Sequence, residues 1–180
     1  TSSRYGYHHG PQAQVLGGVG AFDLSGELPV PPAEFVSSGP MAHGNPAVNE
    51  DVCGTCHMAT AYGDIIGNHT WNMTDEYFGG TRENTAGCTA ACHGTLEDFD
   101  HHDVQTEVEE LLEELVVELR RVGIMRATSH YANGGTWPAN VAAAFVNWQM
   151  IEEDRSLGVH NPDYVLGILH ASVDYMKTVQ

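Results

Sequence analysis

Cys53-Gly54-Thr55-Cys56-His57 and Cys88-Thr89-Ala90-Ala91-Cys92-His93 hold all four cysteines of the chain, and each runs directly into a histidine. In a run of this kind the two thiols add across the vinyl groups of a haem, and the His after the second Cys is placed under the iron as its proximal ligand. The first stretch has the standard spacing; the second carries one extra residue between its cysteines. Four cysteines could instead form two disulfides, and Cys/His clusters can hold zinc. A disulfide needs no His after its second Cys, however, and a directly adjacent Cys-His pair strains a tetrahedral zinc site. The expectation is therefore two covalently bound haem c groups. Cys53, Cys56, Cys88 and Cys92 would hold them, with His57 and His93 on the irons.

Working outward, 180 residues make one domain, or one core with an irregular N-terminal extension. Eleven histidines leave nine for the distal side of the irons. Asp and Glu outnumber Lys and Arg by 24 to 7, and the net charge of -17 argues against nucleic acid as a partner. The same field steers anions away and favours solubility. Lys177 is the single lysine, a balance that a saline habitat would also produce. No apolar run is long enough to span a membrane. Covalent haem attachment takes place outside the cytoplasm in prokaryotes, so the sequence reads as periplasmic or extracellular, with Thr1 following a removed signal peptide.

Residues 1–40 are rich in Gly, Pro and Ser, with Gly17-Gly18 and Pro31-Pro32 as breakers, and read as a loop-rich arm before a haem-bearing domain over 41–180. His8-His9 in this arm is either a solvated pair or a ligand reaching to a haem. His43 lies ten residues before Cys53, near enough to belong to the same core. His69, two residues before Trp71, pairs an imidazole with an aromatic suited to packing on a haem. Asn68 and Asn72 each begin an Asn-x-Thr sequon, a short pattern that is often accidental.

The clearest helix spans about Asp103 to Val122, with Val104, Val108, Leu111, Leu112, Leu115, Leu119 and Val122 on one face and glutamates on the other. Arg120 and Arg121 suit its last turn, and Gly123 ends it. The acidic stripe reads as a solvated face, or as a docking surface for a basic partner. A second helix starts at Trp137-Pro138, with Pro in the first turn, and runs through Val141, Ala144, Phe145, Trp148 and Ile151. A third starts at Asn161-Pro162, capped by Asn161. His160 sits just before that cap, while His170 inside the helix reads as a surface or packing residue. No strand pattern stands out. The fold class is mainly α with extensive loops, a small fold built around two haems that supply much of the apolar core.

An iron with imidazole on both sides is low-spin and closed, which suits outer-sphere electron transfer; an open face allows small molecules to bind and be reduced. His43, His69 and His160 are the candidates for the distal ligands. Met58 or another Met could serve, but axial Met mainly raises the potential.

From about Ser38 to Gln180 the chain resembles the C-terminal part of multihaem cytochromes c related to ammonia-forming nitrite reductases and to octahaem and extracellular multihaem cytochromes. The resemblance rests on Cys53 to Met58, His69 to Trp71, Cys92 to Asp100, the Gln-Thr-Glu-Val from Gln105, and above all Gly158-Val159-His160-Asn161-Pro162-Asp163-Tyr164. Tyr7 to Gln12 is similar to segments in the same group. The resemblance implies the ligand pairs His57/His160 and His93/His43. It leaves His69 without the further haem that its family counterpart ligates. It also implies that a His of one subunit can complete a haem of the next, so that His69, His8 or His9 would act in trans in a homo-oligomer or homopolymer. Other cytochromes or redox proteins are the expected partners. The alternative is a reductase of hydroxylamine or nitrite type with one open haem, although the Cys-x-x-Cys-Lys motif of the family's nitrite-reducing haem is absent.

Overall fold

The computed structural model describes residues 1–24, 42–60, 62–89 and 92–180. Its regular elements are α1 (Gln12–Leu16), α2 (Cys53–His57), β1 (Thr74–Tyr77), β2 (Gly80–Glu83), α3 (Ala86–Thr89), α4 (Val104–Arg121), α5 (Ala139–Asp154) and α6 (Pro162–Thr178). The chain is thus mainly helical with much loop. It divides into two compact units, Thr1–Met41 with Val104–Gln180, and Ala42–Asp103. The loop expected at Pro31-Pro32 lies outside the described residues. The expectation from the sequence is a division into 1–40 and 41–180; by its contacts the chain groups Val104–Gln180 with Thr1–Met41 and leaves 42–103 as a unit of its own.

In the helical unit α4 buries Val108, Leu111, Leu112, Leu115 and Leu119, the stripe legible in its spacing, against α5 and α6. Each such side chain is worth about 1.5–3 kcal/mol relative to exposure. Gly123, with φ 85°, turns the chain after the last helical residues as expected. Asn161 caps α6 by accepting from the Tyr164 N–H at 3.3 Å, with Pro162 at the first position. His170 is exposed and bonds Glu107 at 2.9 Å, an ordinary surface histidine. At α5 the start is one residue later than expected. Pro138 has extended backbone (φ -53°, ψ 144°) and stands in the cap position, not in the first turn.

Most of the surface of α5 is buried. It buries Asn140, Ala143, Val146, Asn147, Gln149, Met150 and Asp154 as well as its apolar stripe. The first 24 residues cover it. Asn147, fully buried, accepts from the Phe22 N–H and donates to the Phe22 carbonyl, each at 2.7 Å, and donates to Ser172 Oγ at 2.9 Å. The Ala21 N–H donates to the buried Tyr164 hydroxyl at 2.8 Å. Val15, Ala21 and Leu24 join the core. The N-terminal residues described are therefore pinned to the helices by buried polar side chains, since leaving those groups unpaired would cost about 1–3 kcal/mol each.

The unit 42–103 is built differently. Its one hairpin, unexpected from the sequence, pairs Thr74 with Glu83 through Tyr77 with Gly80 around the two-residue turn Phe78-Gly79, both at positive φ (48° and 82°). That is a type I′ geometry, and Gly79-Gly80 was its only signal. Among the described residues Ile66 is the single buried hydrophobic side chain of this unit. Val48, Met58, Tyr62, Ile65, Trp71, Tyr77 and Phe78, seven of the ten exposed large hydrophobics, lie here.

Candidate functional site

Both thiol-imidazole stretches fall in the unit that lacks an apolar core. Cys53 to His57 form a single helical turn, α2, so that Cys53 and Cys56 share one face and His57 follows one turn after Cys53. The four cysteines form no disulfide with one another; Cys53 and Cys92 are exposed and Cys56 and Cys88 half-buried. Helix α3 carries Cys88 against α2 with backbone touching backbone. A Cβ at Gly87 would lie 2.7 Å from the Thr55 carbonyl oxygen and 2.8 Å from Cys56 Cα, so glycine is required there.

This contact sets the Cys56 and Cys88 thiols side by side. The hydrogen bond with Cys56 pulls the Cys88 thiol down to about 7, against the opposing effect of burial. At pH 7 roughly half of Cys88 is then thiolate, against a few per cent for an ordinary thiol. In chain made without haem, iodoacetamide at pH 7 should label Cys88 about tenfold faster than a free cysteine, read by peptide mass spectrometry; labelling at the free-cysteine rate would refute the contact.

The histidines are held in ways suited to metal binding. His57 donates from Nδ1 to the Trp71 carbonyl at 2.8 Å. A carbonyl can only accept, so the proton is on Nδ1 and the lone pair on Nε2, the tautomer that backbone carbonyls commonly impose on metal-binding imidazoles. Trp71 stacks on this ring, centroids 5.4 Å apart and 21° between planes. The aromatic expected beside His69 thus packs on His57, and His69 is exposed in a 3₁₀ turn, Asn68–Thr70.

His93 and His43 come together, with ring centroids 6.0 Å apart. Two imidazoles on opposite faces of one iron stand on the order of 6 Å apart, being two metal–nitrogen bonds of about 2 Å plus the depth of each ring. His101 is also near His93, at 5.0 Å, and stacks tilted on His102 at 3.9 Å. Burial first, then the neighbouring His101, His43 and His102, push His93 below its ordinary range, which keeps it neutral as a metal ligand must be. In the sequence His101 and His102 are marked only by being a His-His pair eight residues after His93.

His160 belongs to the helical unit and His57 to the other. His160 donates from Nδ1 to Asp154 Oδ1 at 2.7 Å, which again leaves the lone pair on Nε2. His8 bonds the Arg4 carbonyl at 3.0 Å, and His9, with an 86% exposed side chain, meets Glu153 at 3.2 Å.

Backbone strain gathers in the same unit. Of eight non-glycine residues at positive φ among the described residues, Val52, Asn68, Trp71, Phe78, His102 and Asp103 lie in 42–103. Val52, at φ 45°, is β-branched and enters α2 directly. Such strain clusters where a site dictates the backbone.

The donor set fits a haem: paired thiols, imidazoles with Nε2 lone pairs, and exposed apolar side chains in the same unit. No group of three or more His, Cys, Asp and Glu among the described residues is arranged to hold a bare metal ion. A haem iron asks for only two protein ligands, because the porphyrin supplies four. Compared with protein-family models, curated proteins and solved structures, the chain has no match.

Proposed function

We propose that the chain is a dihaem c-type cytochrome that transfers electrons, with each iron closed by two imidazoles. The observation that carries this is the composition of the unit 42–103. It holds both attachment stretches and exposes seven large hydrophobics, yet among the described residues Ile66 is the one hydrophobic side chain it buries. A unit of about 60 residues with so little buried apolar surface among its described residues needs a staple, and covalent haem is one that uses both its thiols and the histidines that follow them.

Cys53 with Cys56 and Cys88 with Cys92 would form the thioethers, and His57 and His93 would supply Nε2 to the irons. His160 and His43 are the distal ligands that the resemblance of Gly158–Tyr164 and its neighbours supports. A haem bound there supplies an iron that changes between ferric and ferrous by one electron. The protein's part is to hold those ligands still, so that little reorganises when charge moves. The backbone contact of α2 with α3 keeps the two attachment turns adjacent, which favours exchange between the groups they carry.

The excess of 24 acidic over 7 basic residues points to basic faces on redox partners and disfavours an anionic substrate. Such attachment belongs to the periplasm or the exterior, and among the described residues no helix is long and apolar enough to cross a membrane. His69, His8 and His9, all exposed, would complete a haem of a second copy in a homopolymer.

Electron paramagnetic resonance of the oxidised protein, quantified against the haem count from intact mass, tests this. Two covalent haems, both low-spin with bis-imidazole character, are expected. A full high-spin equivalent would mean an open face and move a small-molecule reductase to the front; absence of covalent haem would end the proposal.

A further inference from the structure

Asp154 is the last residue of α5, and its side chain is 1% exposed. A buried carboxylate costs several kcal/mol unless it is paired and hydrogen-bonded. Here both oxygens are used: Oδ1 accepts from His160 Nδ1 at 2.7 Å, and Oδ2 accepts from the Ser156 hydroxyl. Ser156 Oγ in turn accepts from the backbone N–H of His160 at 3.2 Å. The loop that carries these residues lies against α4, where a Cβ at Gly158 would come 3.0 Å from Val104 and 3.1 Å from Val108. His160 is therefore fixed in tautomer and ring plane from behind, and the atom fixing it is an anion.

Resting on the haem reading and on His160 as a distal ligand, we propose that Asp154 is a positioning residue that sets the reduction potential of the iron His160 binds. An imidazole that donates to a carboxylate is a stronger base at its other nitrogen, and the nearby negative charge favours the ferric over the ferrous state. One electron is gained on reduction, supplied by an external one-electron donor; no proton need move. His93, by contrast, sits among His43, His101 and His102. Asp154 lowers the potential of the haem on His160 relative to the same site without that charge.

The test is a spectroelectrochemical titration of the full holoprotein with a one-electron mediator. In Asp154→Asn one of the two couples should move up, so that at its wild-type midpoint the ferric-to-ferrous ratio falls about tenfold, or about 59 mV. The other couple should stay within twofold. Ser156→Ala removes a hydrogen bond from the carboxylate, concentrates its charge on His160, and should move the same couple the other way, by roughly threefold. Opposite shifts of one couple are not what a merely structural role produces. If Asp154→Asn fails to retain two haems, Ser156→Ala decides alone: a downward shift supports the role, and no shift overturns it.

His160→Ala separates the underlying reading from this one. If it leaves both irons low-spin, His160 is not a ligand and the assignment itself falls. If it makes one equivalent high-spin while Asp154→Asn and Ser156→Ala move neither couple, the ligand assignment stands and the tuning role is wrong.

Discussion

Cys53→Ala combined with Cys56→Ala should lower the intact mass by one haem and leave 42–103 open to protease, while the helices resist as before. The reason is the contrast between the two units. The helical unit carries a continuous cluster that includes Val108, Leu115, Leu119, Phe145, Ile168 and Leu169, all fully buried. The other has Ile66 as its single buried hydrophobic among the described residues. Removing one of its two proposed staples takes away most of what offsets the ordering entropy of that stretch, on the order of 1–2 kcal/mol per residue. Limited proteolysis should show cleavage within 42–103 rising at least tenfold, with the fragment after Val104 intact. Uniform protection in the variant would mean that the unit is stabilised by something other than haem.

Leu115→Ala should destabilise the helical unit by about 3 kcal/mol, within the 2–5 kcal/mol that buried leucines give. Leu115 is fully buried on the inner face of α4, where the surrounding side chains can relax only partly into the space left. Val117, two positions on and 62% exposed, is the control, and its replacement by Ala should change stability by less than about 0.5 kcal/mol. Thermal unfolding followed by far-ultraviolet dichroism measures both. Equal effects at the two positions would contradict the orientation of α4.

Much of this was legible because it depends on neighbours in the chain. The α4 stripe, the Gly123 stop and the Asn161-Pro162 cap are set by contacts within a few residues, and the structure has each where the spacing puts it. The first Cys-to-His stretch is equally local, since a single turn of helix brings Cys53, Cys56 and His57 to one place. The burial of α5 on nearly every side is not legible, for the opposite reason. Whether Asn147 meets water or Phe22 depends on a partner 125 residues away, which no periodicity reveals.

The site divides along the same line. By itself the sequence determined which atoms can take part: four thiols in two Cys-to-His runs, an excess of imidazoles, and a strongly acidic surface. Only the tertiary structure decided what stands beside them. It put Trp71 on His57 and not beside His69, His43 and His101 around His93, Cys88 against Cys56, and the buried Asp154 behind His160. Residue type fixes the chemistry a side chain can do, but tautomer, charge and potential are set by atoms brought close in space, and those come from parts of the chain that sequence spacing does not connect.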